Sequence, residues 1–293
     1  MSAATTMDSA GTTLRVHPSD VHRTSPEQTI VDDVTLDADR VRGTLKPRDR
    51  HSYYRHDDRR GITACLYGLE SLRQVETFFA HKRLERPTDT KFVWRSVSMH
   101  VAPADGDDIP DHGFELVHSG ERRREHRYSG VARLHDRVVI LDELTVRYVD
   151  ADTYRLVRGN EPCSSKDAPA PKVVRLPPHE VGRSAHSDVA VGAAETGELE
   201  VGASFTSPVF FEHPQDHWPG MVLIDAATQL CNSVVSPERS LTALECSFVR
   251  YGELTSPVSA SITFTQDQAH RQICSVSFVQ DRQVVSTVSL TFT

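Results

Sequence analysis

Two stretches of this chain open alike and continue alike: VHRTSPEQTIV from Val21 and VGRSAHSDVAV from Val181. Behind each comes a short strand-like segment, VRGTLK from Val41 and ELEVGASF from Glu198. Aromatic and histidine-rich pieces follow, HSYYRHDD from His51 and FFEHPQDH from Phe210, and then a glycine, Gly61 or Gly220, leads into a long helical candidate. The parallel reaches into those helices: Glu70-Ser-Leu-Arg-Gln74 and Asp225-Ala-Ala-Thr-Gln229 place an acid and a glutamine at matching positions. Self-similarity of this kind marks one supersecondary unit used twice. The chain therefore has to fold the same module two times.

Alternating apolar strands follow each helix. In the second half these are LTALECSFVRY, VSASITFTQ, RQICSVSFVQ and QVVSTVSLTFT, with clear period-two patterning. The first half offers TKFVWRSVSMHV, FELVHS, HRYSGVARL and RVVILDELTVRYV. A helix followed by four antiparallel strands, with a short strand ahead of it, can wrap its sheet around the helix, an α+β arrangement. MVLIDAATQLC is apolar on nearly every side, as an enclosed helix should be. ITACLYGLESLRQVETFFAHKRL reads as more amphipathic, with Ile62, Cys65, Leu66, Leu69 and Leu72 as the stripe and Glu70, Arg73 and Thr77 beside it. The boundaries expected are a disordered tail over residues 1–18, modules over 19–156 and 180–293, and a proline-rich linker over 157–179.

Composition narrows the function. A formal charge of −8 over 293 residues argues against a dedicated nucleic-acid binder. No apolar run approaches a bilayer span, and MSAATTMDSAGTT lacks the regions of a signal peptide, so a cytoplasmic protein away from membranes is expected. The five cysteines are odd in number and without CxxC spacing, against disulfide scaffolds and zinc sites. His213 and His217 are four apart, but Pro214 and Pro219 oppose a helix there, so no metal site is expected.

The chemistry gathers around FFEHPQDHWPGMVLIDAATQ. An ionised Asp225 left unpaired in apolar surroundings would cost several kcal/mol. It must be partnered, protonated, exposed on a cavity wall suited to acid–base work, or simply turned to solvent. Pro219-Gly220 supplies a helix start whose backbone N–H groups could steady a developing oxyanion. Glu70 and Arg73 form either an ordinary i,i+3 surface pair or part of a site; the matching polar face in the second helix favours the site. The run GERRREHRYS (Gly120–Ser129) is basic within an acidic chain. It is either a set of solvated strand ends or a docking patch for an acidic partner or a phosphate.

The pattern FFxHPxDHxPGMxLxDA, paired with an upstream GLESLRQ followed by AHKRLERP, resembles the A-factor biosynthesis, AfsA-like family with its tandem hotdog repeat. VHRTSPEQ, PRDRHSYY and VGRSAHSDV belong to the same resemblance, which covers about residues 19–293 apart from the linker. It implies two hotdog folds joined as an intramolecular pseudo-dimer, either monomeric or a homodimer. The implied activity moves a β-ketoacyl group from an acyl carrier protein or coenzyme A thioester to a hydroxyl of dihydroxyacetone phosphate, on the way to a γ-butyrolactone, butenolide or furan signal. The thioester supplies the activation, so no cofactor is implied. A β-hydroxyacyl dehydratase or thioesterase on the same fold, and a non-catalytic acyl-binding regulator, are the other functions such a chain could have.

The resemblance also assigns residues. Glu70 and Arg73 match the family's acid and arginine of the first repeat, whereas the second repeat carries Asp225 and Thr228 where glutamate and arginine are usual. The primary site expected is Glu70 as general base with Arg73, completed across the pseudo-dimer by His213 or His217. Asp225 should face the loop around His51, and Gln74, His51, Gly220, Gln229 and Trp218 are the expected substrate contacts.

Overall fold

In the computed structural model, residues 13–55, 60–104, 109–159, 162–267 and 271–293 are described. The first half contains β1 (Thr13–Arg15), β2 (Val31–Leu36), β3 (Arg40–Leu45), α1 (Ile62–Lys82), β4 (Lys91–Pro103), β5 (Gly113–Arg122), β6 (Glu125–Leu134) and β7 (Arg137–Val149). After α2 (Ala151–Arg158) the second half repeats the series. It runs β8 (Val174–Arg175), β9 (Val191–Ala193), β10 (Leu199–Val201), α3 (Gly220–Val234), β11 (Leu241–Phe248), β12 (Ser259–Gln266), β13 (Gln272–Gln280) and β14 (Gln283–Phe292).

Among the described residues fourteen strands join one sheet in the order β1-β2-β3-β5-β6-β7-β4-β11-β14-β13-β12-β10-β9-β8. Read outward from the middle, the two halves have the same order, which is the duplication expressed as topology. The seam is the antiparallel pair β4–β11, with Val97 opposite Cys246 and Ser96 opposite Ser247. Each half curls its sheet about its own helix, the tandem hotdog arrangement.

Burial of the two helices follows from that wrapping. α3 is buried continuously from Met221 to Cys231. α1 departs from its amphipathic reading: all of its residues except Arg73, His81 and Lys82 are buried. The polar face beside the apolar stripe is thus not a solvated one, and Glu70, Gln74 and Glu76 must find partners inside the protein. Close packing reaches the backbone at Gly68, where a Cβ would lie 2.7 Å from the Cβ of Val139 on β7.

Several boundaries shift. Thr13–Arg15 pairs with β2 although the sequence places it in a disordered tail; residues 1–12 lie outside the described residues. α2 runs to Arg158, inside the expected linker, because Arg158 forks onto Glu253 at 2.5 and 2.9 Å and donates to the Asp216 carbonyl. Val174 and Arg175 also pair with β9, so the linker contributes an edge strand. The basic run Gly120–Ser129 forms the β5–β6 hairpin, with Arg123 and Arg124 turning it at φ 55° and 65°.

Candidate active site

The two halves hold their buried acids by one hydrogen-bond scheme, executed twice. In the first, Gln74 accepts from Ile30 N at 2.8 Å and donates to the Gln28 carbonyl and to Glu70 Oε1. In the second, Gln229 accepts from Ala190 N at 2.9 Å and donates to the Asp188 carbonyl and to Asp225 Oδ2. Each acid then takes an arginine from the opening segment of its own repeat. Arg23 Nη2 lies 2.5 Å from Glu70 Oε1, and Arg183 Nη2 donates to Asp225 Oδ1. Neither arginine is among the residues the sequence singled out, although both stand at the third position of VHRTS and VGRSA.

Beyond this shared frame the halves diverge. Glu70 receives a second guanidinium, Arg73, through Nε to Oε2 at 2.8 Å and Nη2 to Oε1 at 2.7 Å. Burial pushes the Glu70 carboxyl up, but Arg23 and Arg73 outweigh it and hold the group well below the usual carboxylate range. A carboxylate held this firmly, with four donors on it, is a weak base. The general-base role expected of Glu70 does not fit; what it does is fix two guanidiniums. Among the described residues Arg73 Nη1 makes no protein hydrogen bond, and 19 % of the side chain is exposed.

Asp225 has Arg183 and Tyr53 in place of a second arginine: Tyr53 Oη donates to Oδ2 at 2.7 Å, and the Arg183 guanidinium lies 5.3 Å from the Tyr53 ring centre. Thr228, where an arginine would continue the scheme, donates to the Asp225 carbonyl. Asp225 is 1 % exposed and lines neither cavity described below. The acid–base role expected of it is replaced by a sealed ion pair. The expected crossing is present, since Tyr53 lies in the loop after His51, but His51 does not make it. The His51 ring packs on Tyr54 and Tyr67, accepts from Tyr53 N at 3.2 Å, and is pushed down to about 4 by burial.

A cavity of about 1200 Å³ opens beside Glu70 and Arg73 and is walled by both halves. From the first come His22, Arg23, Glu76, Phe92, Trp94 and Tyr148; from the second, Phe210, Glu212, His213, Asp216, His217, Trp218, Gly220, Met221, Phe248 and Tyr251. A smaller one of about 270 Å³ lies against Tyr53, Arg175 and Asp188. His51, Gln74 and Gln229, expected as substrate contacts, line neither; the glutamines are frame residues, and His51 is core. Trp218 and Gly220 do line the large cavity.

The second-half loop is pinned across the pseudo-dimer. Arg23 Nη1 donates to the Val209 carbonyl at 2.8 Å, and Glu212 Oε1 accepts from Thr24 N and Ser25 N. This brings His213 within reach of Arg23 and Arg73, whose charges add to burial in lowering its pKa. Burial and the two guanidiniums thus favour the neutral form of the His213 imidazole. His22 joins the same wall, 2.8 Å from His81 Nε2 and pushed down to about 3 by burial and by His81. His217 is built differently: its Nδ1 lies 2.5 Å from Asp216 Oδ1 and its ring edges onto Tyr251. Burial raises Asp216, but His217, Tyr154 and Arg158 outweigh it and hold the carboxyl at about 2.

Pro219 ends this loop as the N-cap of α3 without a side-chain cap, which keeps residues 213–218 out of the helix. Its carbonyl accepts from Val222 N and Leu223 N, while Gly220 N and Met221 N make no hydrogen bond among the described residues and both residues line the cavity. A Cβ at Gly220 would lie 2.9 Å from the Phe248 ring, so a larger residue there requires that ring to shift.

Glu76 also went unmarked in the sequence. It is fully buried in the cavity wall, accepts from Tyr148 Oη, and has an Oε2 without a hydrogen-bond partner among the described residues. Burial pushes its carboxyl up to about 8, against the opposing effects of Tyr148 and Arg73. Folded protein keeps this proton to about pH 8, whereas an unfolded chain releases it near pH ~4.3. Between those values the folded state binds more protons, so stability falls as pH rises. Glu76→Gln is expected to flatten the urea-midpoint profile between about pH 5 and 8 and to exceed the parent at the upper end by about 1–3 kcal/mol. Parallel profiles would mean that the carboxyl is already ionised.

Two helix-in-sheet modules joined edge to edge, with a cavity built from both, make this a tandem hotdog protein. A model of the A-factor biosynthesis hotdog domain matches residues 4–150 and 164–293, and the chain belongs to that family. It is 28 % identical over 249 residues to the 2-oxo-3-(phosphooxy)propyl 3-oxoalkanoate synthase of Streptomyces virginiae, covering 80 % of this chain and 83 % of that one. It is likewise 28 % identical over 261 residues to the synthase of the same name from Streptomyces griseus, covering 83 % and 84 %. With the Streptomyces coelicolor protein of that name the identity is 33 % over 117 residues, 39 % of this chain and 36 % of the relative. Among the described residues no helix is long and apolar enough to cross a membrane.

Proposed function

We propose that this protein is an acyltransferase that moves a 3-oxoacyl group from a thioester to a hydroxyl of dihydroxyacetone phosphate. The new C–O bond forms at the thioester carbonyl as the C–S bond breaks. His213, neutral and half-buried, takes the hydroxyl proton and passes it to the departing thiolate. Arg73, aimed by Glu70, holds the phosphate through its free Nη1 edge. The uncapped N–H groups of Gly220 and Met221 face the oxyanion, and the acyl chain lies along Phe92, Trp94, Trp218 and Phe248.

The observation that carries the reading is the meeting of Arg73 from one repeat with His213 from the other in one cavity, supported by the synthase activity for which the Streptomyces relatives are named. Mixing the protein with a 3-oxoacyl thioester and dihydroxyacetone phosphate should give the phosphorylated ester, or its cyclised butenolide, by mass spectrometry. Free acid or an α,β-unsaturated acyl product, formed equally well without the triose phosphate, would reject it.

A further inference from the structure

The basic hairpin that stands out in the sequence has no part in the chemistry above, yet Arg124 at its turn borders the large cavity. So do Arg95 on β4, Arg147 on β7 and Arg250 just past β11. We propose that these four arginines form a docking surface for the acidic face of an acyl carrier protein, which would deliver its thioester into the cavity on a phosphopantetheine arm. This rests on the acyl-transfer reading of the same site.

The placement follows from register. The hairpin, β7, β4 and β11 are consecutive across the sheet and over the seam. Val93 and Trp94, just ahead of Arg95, stand opposite Arg147 and Val146. Ser247, three residues before Arg250, stands opposite Ser96. Neighbouring strands are about 4.8 Å apart, so the row runs roughly 14 Å. That is too broad for one phosphate and comparable to the face of a helix, about 10–12 Å across.

Charge points the same way. The chain carries a net −8, yet Arg124 and Arg250 are exposed and make no side-chain ion pair among the described residues. Arg147 and Arg95 share a single carboxylate, Glu125, with Arg147 Nη2 at 2.8 Å and Arg95 Nε at 4.0 Å. Two of the four guanidiniums thus share one acid, and the other two have none among the described residues. Of the other carboxylates lining the cavity, Glu70, Glu212 and Asp216 pair with Arg23, Arg73, Arg158 and His217 rather than with this row, and Asp150 accepts from Thr153. Exposed charge of one sign around an opening raises the encounter rate of an oppositely charged partner and weakens with salt.

The test pairs binding with a substrate comparison. A holo acyl carrier protein immobilised on a sensor surface should bind the full chain, and Arg124→Glu with Arg250→Glu should weaken that binding at least tenfold. Raising salt from about 50 to about 300 mM should do the same to the parent protein. In turnover, the ratio of kcat/KM for carrier-bound 3-oxoacyl thioester to that for the N-acetylcysteamine thioester should fall by a similar factor. No binding, binding indifferent to the two substitutions, or a loss confined to the coenzyme A thioester would overturn the proposal. If no thioester of any kind is turned over, the acyl-transfer reading fails, while the binding measurement still judges the surface.

Discussion

Alanine at Asp225 is expected to cost the fold about 3–5 kcal/mol, the range for breaking a buried ion pair from one side. Arg183 is 3 % exposed in its side chain and would keep its charge with no acid to meet it, while Tyr53 Oη and Gln229 Nε2 would each lose one acceptor and be left with the Asp188 carbonyl. Adding Arg183→Met should recover much of the loss, because an apolar side chain of similar reach needs no partner there. Urea denaturation of both variants reads the effect. The alternative, an acid serving the reaction, predicts the reverse pattern: near-parental stability, turnover abolished, and no rescue by the second substitution.

Arg73→Ala should remove about 3–4 kcal/mol of transition-state stabilisation, a loss in kcat/KM of roughly 10²–10³-fold. Little stability should go with it, since Glu70 would retain Arg23 and Gln74. Arg73→Lys should recover little activity: one ammonium cannot grip both Glu70 oxygens and also offer an edge to a ligand. Initial rates at varied dihydroxyacetone phosphate separate the roles. A rise confined to the KM for the phosphate substrate marks a binding arm, and an equal loss in kcat marks a group acting in the transition state. If Arg73→Ala turns over normally, the site does not lie at this cavity.

Much of the architecture was readable because period-two strands and a duplicated opening are patterns of the chain itself, and the structure answers them with two equal strand orders meeting at β4 and β11. The site was half readable. Glu70, Arg73, His213, His217, Trp218 and Gly220 do share one cavity. Arg23 and Arg183 were missed although the clue was visible: two buried acids demand cations, and each repeat opens with an arginine at the same position. Glu76 was not legible, because on a helix buried nearly all round only the tertiary fold decides which face meets the cavity. His51 misled because it matches His213 by order along the repeat, whereas the crossing is made by Tyr53.

The seam between β4 and β11 lies within one polypeptide. A partner that must be captured from solution can be lost on dilution, but this one travels with the chain at a fixed, high local concentration. The grip of Arg23 on Val209 therefore persists in a single molecule, however few copies a cell makes. It also releases the two copies from having to stay identical: one helix can hold its acid between Arg23 and Arg73 while the other, with Thr228, holds its own between Arg183 and Tyr53.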